Sequence, residues 1–291
     1  MNGSNKVVLV TGASSGFGKL TVETLSKNGI KTIATMRDIR GKNSKVAEKL
    51  NNFNKNITIE ELDVTNLESI KKAIKNTINV FNKIDVVVNN AGIMNVGLAE
   101  GFSISQLEKQ MNVNYIGVAR IFKEVIPYMK IHKNGLFITI SSIAGRILFP
   151  FLSTYNPSKF AVEALSEMYR YELSPFNIDS IILEPGPFPT ELIKNSPRPN
   201  DTECLKDYGE LANAADQTMQ KFKEFMKDNP DCDSNLVSNA ILNLIKLPYG
   251  KRPLRTVCGI DYGVKEINDL TERFQLSILK QMGLEHLIPN K

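Results

Sequence analysis

The sequence predicts an α/β fold: a doubly wound parallel sheet of about seven strands with helices on both faces. Three observations carry this expectation. Short apolar runs rich in β-branched residues alternate with longer stretches of helical period, the order of a parallel sheet covered by helices. One run, Ile84–Asn89 (IDVVVN), is apolar almost throughout, as expected of a strand buried on both faces. The first run, Val7–Thr11 (VVLVT), ends at a glycine and leads into a helix pattern. Right-handed crossovers between such units wind the sheet in both directions from its centre.

The elements follow in order. After Val7–Thr11, a helix is expected from about residue 18 to 28, stopped by Gly29. Lys31–Thr35 is the second strand, and residues 56–64 hold a third with alternation at Ile57, Ile59 and Glu61. Ile84–Asn89 is the fourth, Leu136–Ser141 the fifth and Ile178–Leu183 the sixth, with helices near 66–80, 103–131 and 155–173. Beyond Leu183 the texture changes: EPGPFPTELIKNSPRPN holds five prolines and reads as a loop. Helical stretches follow at about 205–227, 234–246 and 264–282. No composition break, repeat or low-complexity segment precedes residue 183. The expectation is one domain over residues 1–291, with a helical extension at about 260–291.

Composition narrows the function classes. Apolar residues at 42% and charged residues at 23% exclude wholesale disorder. The net charge of +5 is spread along the chain, and its tightest cluster is only Lys251, Arg252 and Arg255, which argues against nucleic acid as the partner. Cys204, Cys232 and Cys258 form no CxxC pair, so neither zinc nor a disulfide framework is indicated, and reduced thiols in a cytoplasm are expected. His132 and His286 lie far from other ligand types and are read as surface residues, so no metal is expected. No apolar run approaches the roughly 18 residues of a membrane span. The opening segment lacks the basic stretch and apolar core of a secretory signal.

The chemistry begins at Gly12-Ala13-Ser14-Ser15-Gly16-Phe17-Gly18. A tight turn between strand and helix brings backbone N–H groups and the helix dipole to a phosphate. Gly12 permits the turn, Gly16 removes a Cβ where a pyrophosphate must approach, and Gly18 allows close packing behind it. Tyr155 and Lys159 are four residues apart in a helical segment and share a face. A phenol of pKa near 10 is a poor base at neutral pH, and a nearby ammonium is expected to lower it. Pro157 fits only near a helix start, which places Tyr155 at the positive end of the dipole. The plain alternative is an ordinary surface pair.

With these motifs the sequence resembles the short-chain dehydrogenase/reductase family. The match rests on TGASSGFG, Asp63-Val64, Asn89-Asn90-Ala91-Gly92, Asn114, Ser142, Tyr155-x-x-x-Lys159, and Pro185-Gly186 with Thr190. It covers about residues 5–195 by motif. The resemblance implies a Rossmann-type fold and hydride transfer between a nicotinamide cofactor and a carbonyl or alcohol. Asp63 with Val64 would meet the adenine. Asn90, Ala91 and Gly92 would run along the cofactor, with Ser14, Ser15 and Phe17 in the glycine loop. Pro185, Gly186 and Thr190 would border the nicotinamide, and the stretch at about 187–230 would form a lid over substrate. Ser142 would polarise the substrate oxygen, Lys159 would hold the ribose, and Asn114 would complete a proton relay. Ser141 and Asn112 are the competing residues for two of these roles. Asp63 could instead cap the next helix, although Asn66 lies closer to its start.

Met36 stands where NAD-preferring relatives carry an aspartate, and Arg37 follows it. A guanidinium suits a 2′-phosphate, so NADP is expected over NAD, with Ser14 as a further donor. The alternative is that Arg37 is a surface charge partly neutralised by Asp38. Leu148, Phe149, Phe151, Phe188 and Leu192 would line an apolar substrate pocket, and the chain looks similar to the hydroxysteroid and retinol branch. Two other readings are a non-catalytic NADP-binding sensor and a sugar-nucleotide epimerase. The glycine spacing fits the epimerase poorly. Family habit implies a homodimer or homotetramer through the helices near 103–131 and 155–173, with Leu165, Met168, Tyr169 and Leu173 on the shared face or in the core.

Overall fold

The computed structural model describes residues 6–289, so the first five and last two residues of the expected domain lie outside the described residues. Strand β1 (Val7–Val10) leads into α1 (Gly16–Lys27), then β2 (Lys31–Met36). Helix α2 (Ser44–Phe53) precedes β3 (Ile57–Glu61), and α3 (Leu67–Phe81) precedes β4 (Val86–Asn89). Next come α4 (Ile104–Met111), a π-helical turn (Asn112–Ile116) and α5 (Gly117–His132), which leads to β5 (Gly135–Ile140). Helix α6 (Tyr155–Leu173) precedes β6 (Ile178–Pro185). The one-turn α7 (Glu191–Lys194), α8 (Leu211–Met226) and α9 (Asn235–Lys246) precede β7 (Arg255–Cys258), and α10 (Val264–Gln281) follows.

All strand pairs are parallel, in the order β3-β2-β1-β4-β5-β6-β7. Alternation sorts the strand side chains into two cores. Val8, Val10, Val88 and Ile138 pack on one face against Val22 and Leu25 of α1 and Ile241 of α9. Leu9, Val87 and Phe137 pack on the other against Ile74 of α3 and Ile121 and Phe122 of α5. The chain winds outward in opposite directions from β1 and β4, so their carboxyl ends open a crevice between the glycine loop and Asn89–Gly92.

The elements differ from the sequence expectation where local pattern is weak. Helix α2 and strand β7 have no counterpart there: α2 is short, and β7 is an edge strand with three half-buried residues and only Cys258 buried. The proline-rich segment is not wholly loop, because Glu184 and Pro185 extend β6 and Glu191–Lys194 form a helical turn. The helix expected at 205–227 is broken at Gly209, whose φ of +54° separates a 3₁₀ turn from α8.

The basic cluster divides between interior and surface. Arg252 and Arg170 both bond the fully buried Asp179, at 3.2 and 3.1 Å. Arg255 bonds Glu163 at 2.8 Å and Glu167 at 2.6 Å. Lys251 alone stays exposed.

Candidate active site

The glycine loop works through backbone. Gly12 and Gly16 adopt φ of +67° and +51°, a region that side chains rarely tolerate. A Cβ on Gly12 would come within 2.8 Å of Ala91 Cα. One on Gly18 would collide with the Gly12 carbonyl and the Asn90 amide, so Gly18 packs behind the turn itself. Asn90 locks that turn: its Nδ2 donates to Thr11 O at 2.8 Å and Gly12 O at 3.2 Å. Thr11 Oγ1 accepts from the Asn90 and Ala91 N–H groups, both at 3.0 Å. The Ser15 side chain does not cap α1, so the first-turn N–H groups keep their hydrogen-bonding capacity for an anion.

A single cleft of about 860 Å³ runs from this loop to α6. Gly12, Ser14, Ser15, Gly16 and Phe17 line it, as do Arg37, Asp63 and Val64. Asn90, Ala91 and Gly92 form its floor with Pro185, Gly186 and Thr190, and Ser142, Tyr155 and Lys159 lie at its far end. Of the expected site residues, Gly18 and Asn114 stand behind the wall. A backbone cradle, an open helix N-terminus and a cleft of this length fit a dinucleotide.

At the adenosine end, Asp63 does not cap α3; Asn66 does, accepting from Ser69 N at 3.0 Å. Asp63 Oδ1 instead accepts from Thr65 N and Oγ1. Arg37 is exposed and has no ion-pair partner among the described residues. Asp38 forms no ion pair with it, and its carboxylate accepts from Lys42 N at 2.8 Å. Lys42 itself lines the cleft beside Arg37, a second cation that sequence reasoning missed because no motif marks it.

At the reacting end, Tyr155 opens α6 and Lys159 stands one turn on, its Nζ 5.5 Å from the centre of the Tyr155 ring. Ser142 faces the Tyr155 hydroxyl and favours its ionised form, while its Oγ donates to Pro185 O at 3.4 Å. Ser142 also accepts from Ala144 N at 3.1 Å, which fixes its rotamer. Its competitor Ser141 faces the other way, with Oγ 2.8 Å from where a Gly145 Cβ would stand. Asn112 is likewise engaged elsewhere, accepting from Arg120 Nη1 at 2.8 Å. Asn114 sits in the π turn, where its amide bonds both Ile93 N and Ile93 O at 2.9 Å and Ser158 Oγ at 3.0 Å.

The electrostatics differ from the expectation in one respect. Burial pushes the Tyr155 phenol up to about 12, and Ser142 only partly offsets it. The expected lowering by Lys159 is not found; its Nζ lies 5.5 Å from the centre of the Tyr155 ring and donates to Ile140 O at 2.8 Å. Burial also brings Lys159 down to about 8, against the pull of Glu163.

Apolar residues close this end. Met94, Phe149, Leu152, Leu192, Met219 and Phe222 line it, and a small core joins several of them to Tyr155. Two expected liners are corrected. Leu148 is 73% exposed and turned to solvent. Phe151 takes a left-handed backbone and packs into the small core behind the wall. Met219 and Phe222 were missed because they enter from α8, far along the chain.

The chain matches the family model described as short chain dehydrogenase over residues 6–201. It is 34% identical over 257 residues to a 3-ketodihydrosphingosine reductase of Bacteroides thetaiotaomicron, covering 87% of this chain and 88% of that protein. It is 34% identical over 194 residues to human retinol dehydrogenase 8, covering 66% of this chain and 61% of that one. Among solved structures it is similar to ElxO with NADP bound, at 26% identity and a TM-score of 0.70, over 89% of this chain and 98% of that one.

Proposed function

The chain belongs to the short-chain dehydrogenase family, and on that premise we propose that it transfers a hydride between NADP(H) and the carbonyl or secondary-alcohol carbon of an apolar substrate. Membership of the family makes the chain a pyridine-nucleotide oxidoreductase acting on CH–OH or C=O groups. The observation that carries this reading is the gathering of Ser142, Tyr155 and Lys159 at the apolar end of a cleft that begins in an anion cradle.

In reduction, the Tyr155 hydroxyl gives its proton to the substrate oxygen, and in oxidation it takes one back. Ser142 donates to that same oxygen as negative charge builds on it. Bound nicotinamide supplies or accepts the hydride and, when oxidised, brings a positive charge that favours the phenolate. Lys159 would hold the ribose hydroxyls, and Asn114, held against Ile93 and Ser158, serves the relay of protons from Lys159 toward solvent. Gly12, Ser14, Ser15, Gly16, Phe17 and Gly18 are assigned the pyrophosphate. Asp63 and Val64 take the adenine, Asn90–Gly92 the length of the cofactor, and Pro185, Gly186 and Thr190 the nicotinamide.

Arg37 and Lys42 support NADP over NAD, because two cations at the adenosine end suit a 2′-phosphate. The apolar substrate is supported by the Met94–Phe222 walls and by relatives named for 3-ketodihydrosphingosine and retinol. Residues 187–230, with α8 over Tyr155, act as the lid. The three free cysteines support a reducing compartment, the cytoplasm. Among the described residues no helix is long and apolar enough to cross a membrane. A homodimer through α5 and α6 is supported by Phe160 and Met168, which stay exposed on α6, whereas Leu173 and most of Tyr169 belong to the core.

The test is NADPH and NADH oxidation with a series of long-chain ketones, with cofactor binding measured separately. NADPH should be preferred by about tenfold or more. Tight NADPH binding with no turnover in either direction would contradict the reading and point to a sensor.

A further inference from the structure

A buried carboxyl pair lies behind Lys159. Glu163 is one turn further along α6, and Glu184 is on β6 immediately before Pro185-Gly186. They are 2% and 0% exposed, and neither lines the cleft. In each, one oxygen has a donor: Glu163 Oε2 accepts from Arg255 Nε at 2.8 Å and Glu184 Oε2 from Asn268 Nδ2 at 2.5 Å. Both Oε1 atoms are buried without a hydrogen-bond partner. The two carboxyl groups flank the same guanidinium nitrogen: Arg255 Nε stands 2.8 Å from Glu163 Oε2 and 3.6 Å from Glu184 Oε1. Two carboxylates cannot bond one another, but two carboxyl groups holding one proton can.

The surrounding charges give the same count. Facing Glu163 are Lys159 and Glu167 from α6, Arg255 from β7 and Glu184 from β6. Glu167 is held by Arg255 and by the Tyr171 hydroxyl, at 2.6 and 2.7 Å. Arg146, from the segment after Ser142, is turned to Asn268 and Thr271 on α10. Lys159 and Arg255 balance Glu163 and Glu167 only when Glu184 is neutral. Burial, reinforced by Glu163, holds the Glu184 carboxyl far above the ordinary carboxylate range.

We propose that Glu163 and Glu184 share one proton, and that the single negative charge left on the pair, centred on Glu163, keeps Lys159 in its charged form. Both are positioning residues: they reach the reacting atoms only through Lys159. The importance of this charge for turnover rests on the function proposed above; the charge state itself does not. Glu163 is the charge that opposes the discharge of Lys159 by burial.

Lys159 can be titrated by NMR in the full chain carrying ¹³C-labelled lysine, its signal assigned by loss in Lys159→Met. No cofactor or substrate is added, so the result stands apart from turnover. In Glu163→Gln the Lys159 midpoint should fall by about one pH unit or more. In Glu184→Gln, whose amide can donate to Glu163 in place of the shared proton, it should stay within a few tenths of a unit. Infrared spectra of the wild type at pH 7 should show a protonated carboxyl that is absent from Glu184→Gln. An unmoved midpoint in Glu163→Gln, or equal shifts in both variants, overturns the proposal. If Glu163→Gln fails to fold, the infrared result decides: no protonated carboxyl in the wild type overturns it too. In alcohol oxidation, only Glu163→Gln should carry the alkaline limb of the pH profile, where Lys159 loses its proton, to lower pH. A wild type without turnover would sink the proposed function and leave the titration standing.

Discussion

The two ends of the cleft are held by opposite means. At the glycine loop the surface is backbone: Gly12 and Gly16 at positive φ, an uncapped α1, and Asn90 bonding main-chain oxygens. At the other end the functional atoms belong to buried side chains, and each has an electrostatic cost. Tyr155 is pushed up to about 12 and Lys159 down to about 8 by the same cause, loss of water. The first end binds through shape and dipoles that need no ionisation. The second depends on which groups carry protons, so pH and charge-altering substitutions should act on it far more strongly.

The sharpest way to break this contrast is Tyr155→Phe. It should lower ketone reduction by about 10²–10⁴-fold, while NADPH affinity, measured by fluorescence titration, barely moves. The converse variant is Gly12→Ala, which needs a left-handed alanine pressed on Ala91 Cα. Its NADPH affinity should fall by roughly tenfold or more, with a smaller loss in kcat at saturating cofactor.

Lys159→Met tests the cost of the buried amine. The folded state holds Lys159 at about 8 against the ordinary lysine value of 10.5, so the unfolded chain binds the extra proton between those values. The penalty is full below pH 8 and fades as pH rises toward 10.5. The variant should therefore be more stable than wild type at pH 7 by up to about 3 kcal/mol, converging with it above pH 10 in urea titrations. The smallest effect is expected from Arg37→Ala: NADPH should bind about tenfold more weakly and NADH unchanged. Equal losses for both cofactors would remove Arg37 from the phosphate site.

The same contrast explains what the sequence made legible. A phosphate loop is local: strand, three glycines and helix lie within Val7–Lys27, and positive φ leaves glycine as its mark. Tyr155 and Lys159 were legible for a similar reason, being one helical turn apart. Lys42, Met219 and Phe222 reach the cleft from elements whose pairing with it no spacing encodes. The carboxyl pair is less legible still, since Glu163, Glu184, Arg255 and Asn268 come from α6, β6, β7 and α10. The pairing of Arg252 and Arg255 with buried acids is hidden in the sequence because those partners lie about 70 or more residues away. Helix-breaking at Asn112–Ile116 also left no composition signal, although it turns the Asn114 amide inward.

The most direct test follows the hydride itself. Wild type and Tyr155→Phe are each saturated with NADPH deuterated at the transferred position and given a long-chain ketone, and the product alcohol is analysed by mass spectrometry. Deuterium on the carbinol carbon with wild type, and a trace at most with the variant despite equal NADPH binding, is the predicted result. Transfer at equal rates by both proteins, or none by a wild type that binds NADPH across the whole ketone series, would contradict it.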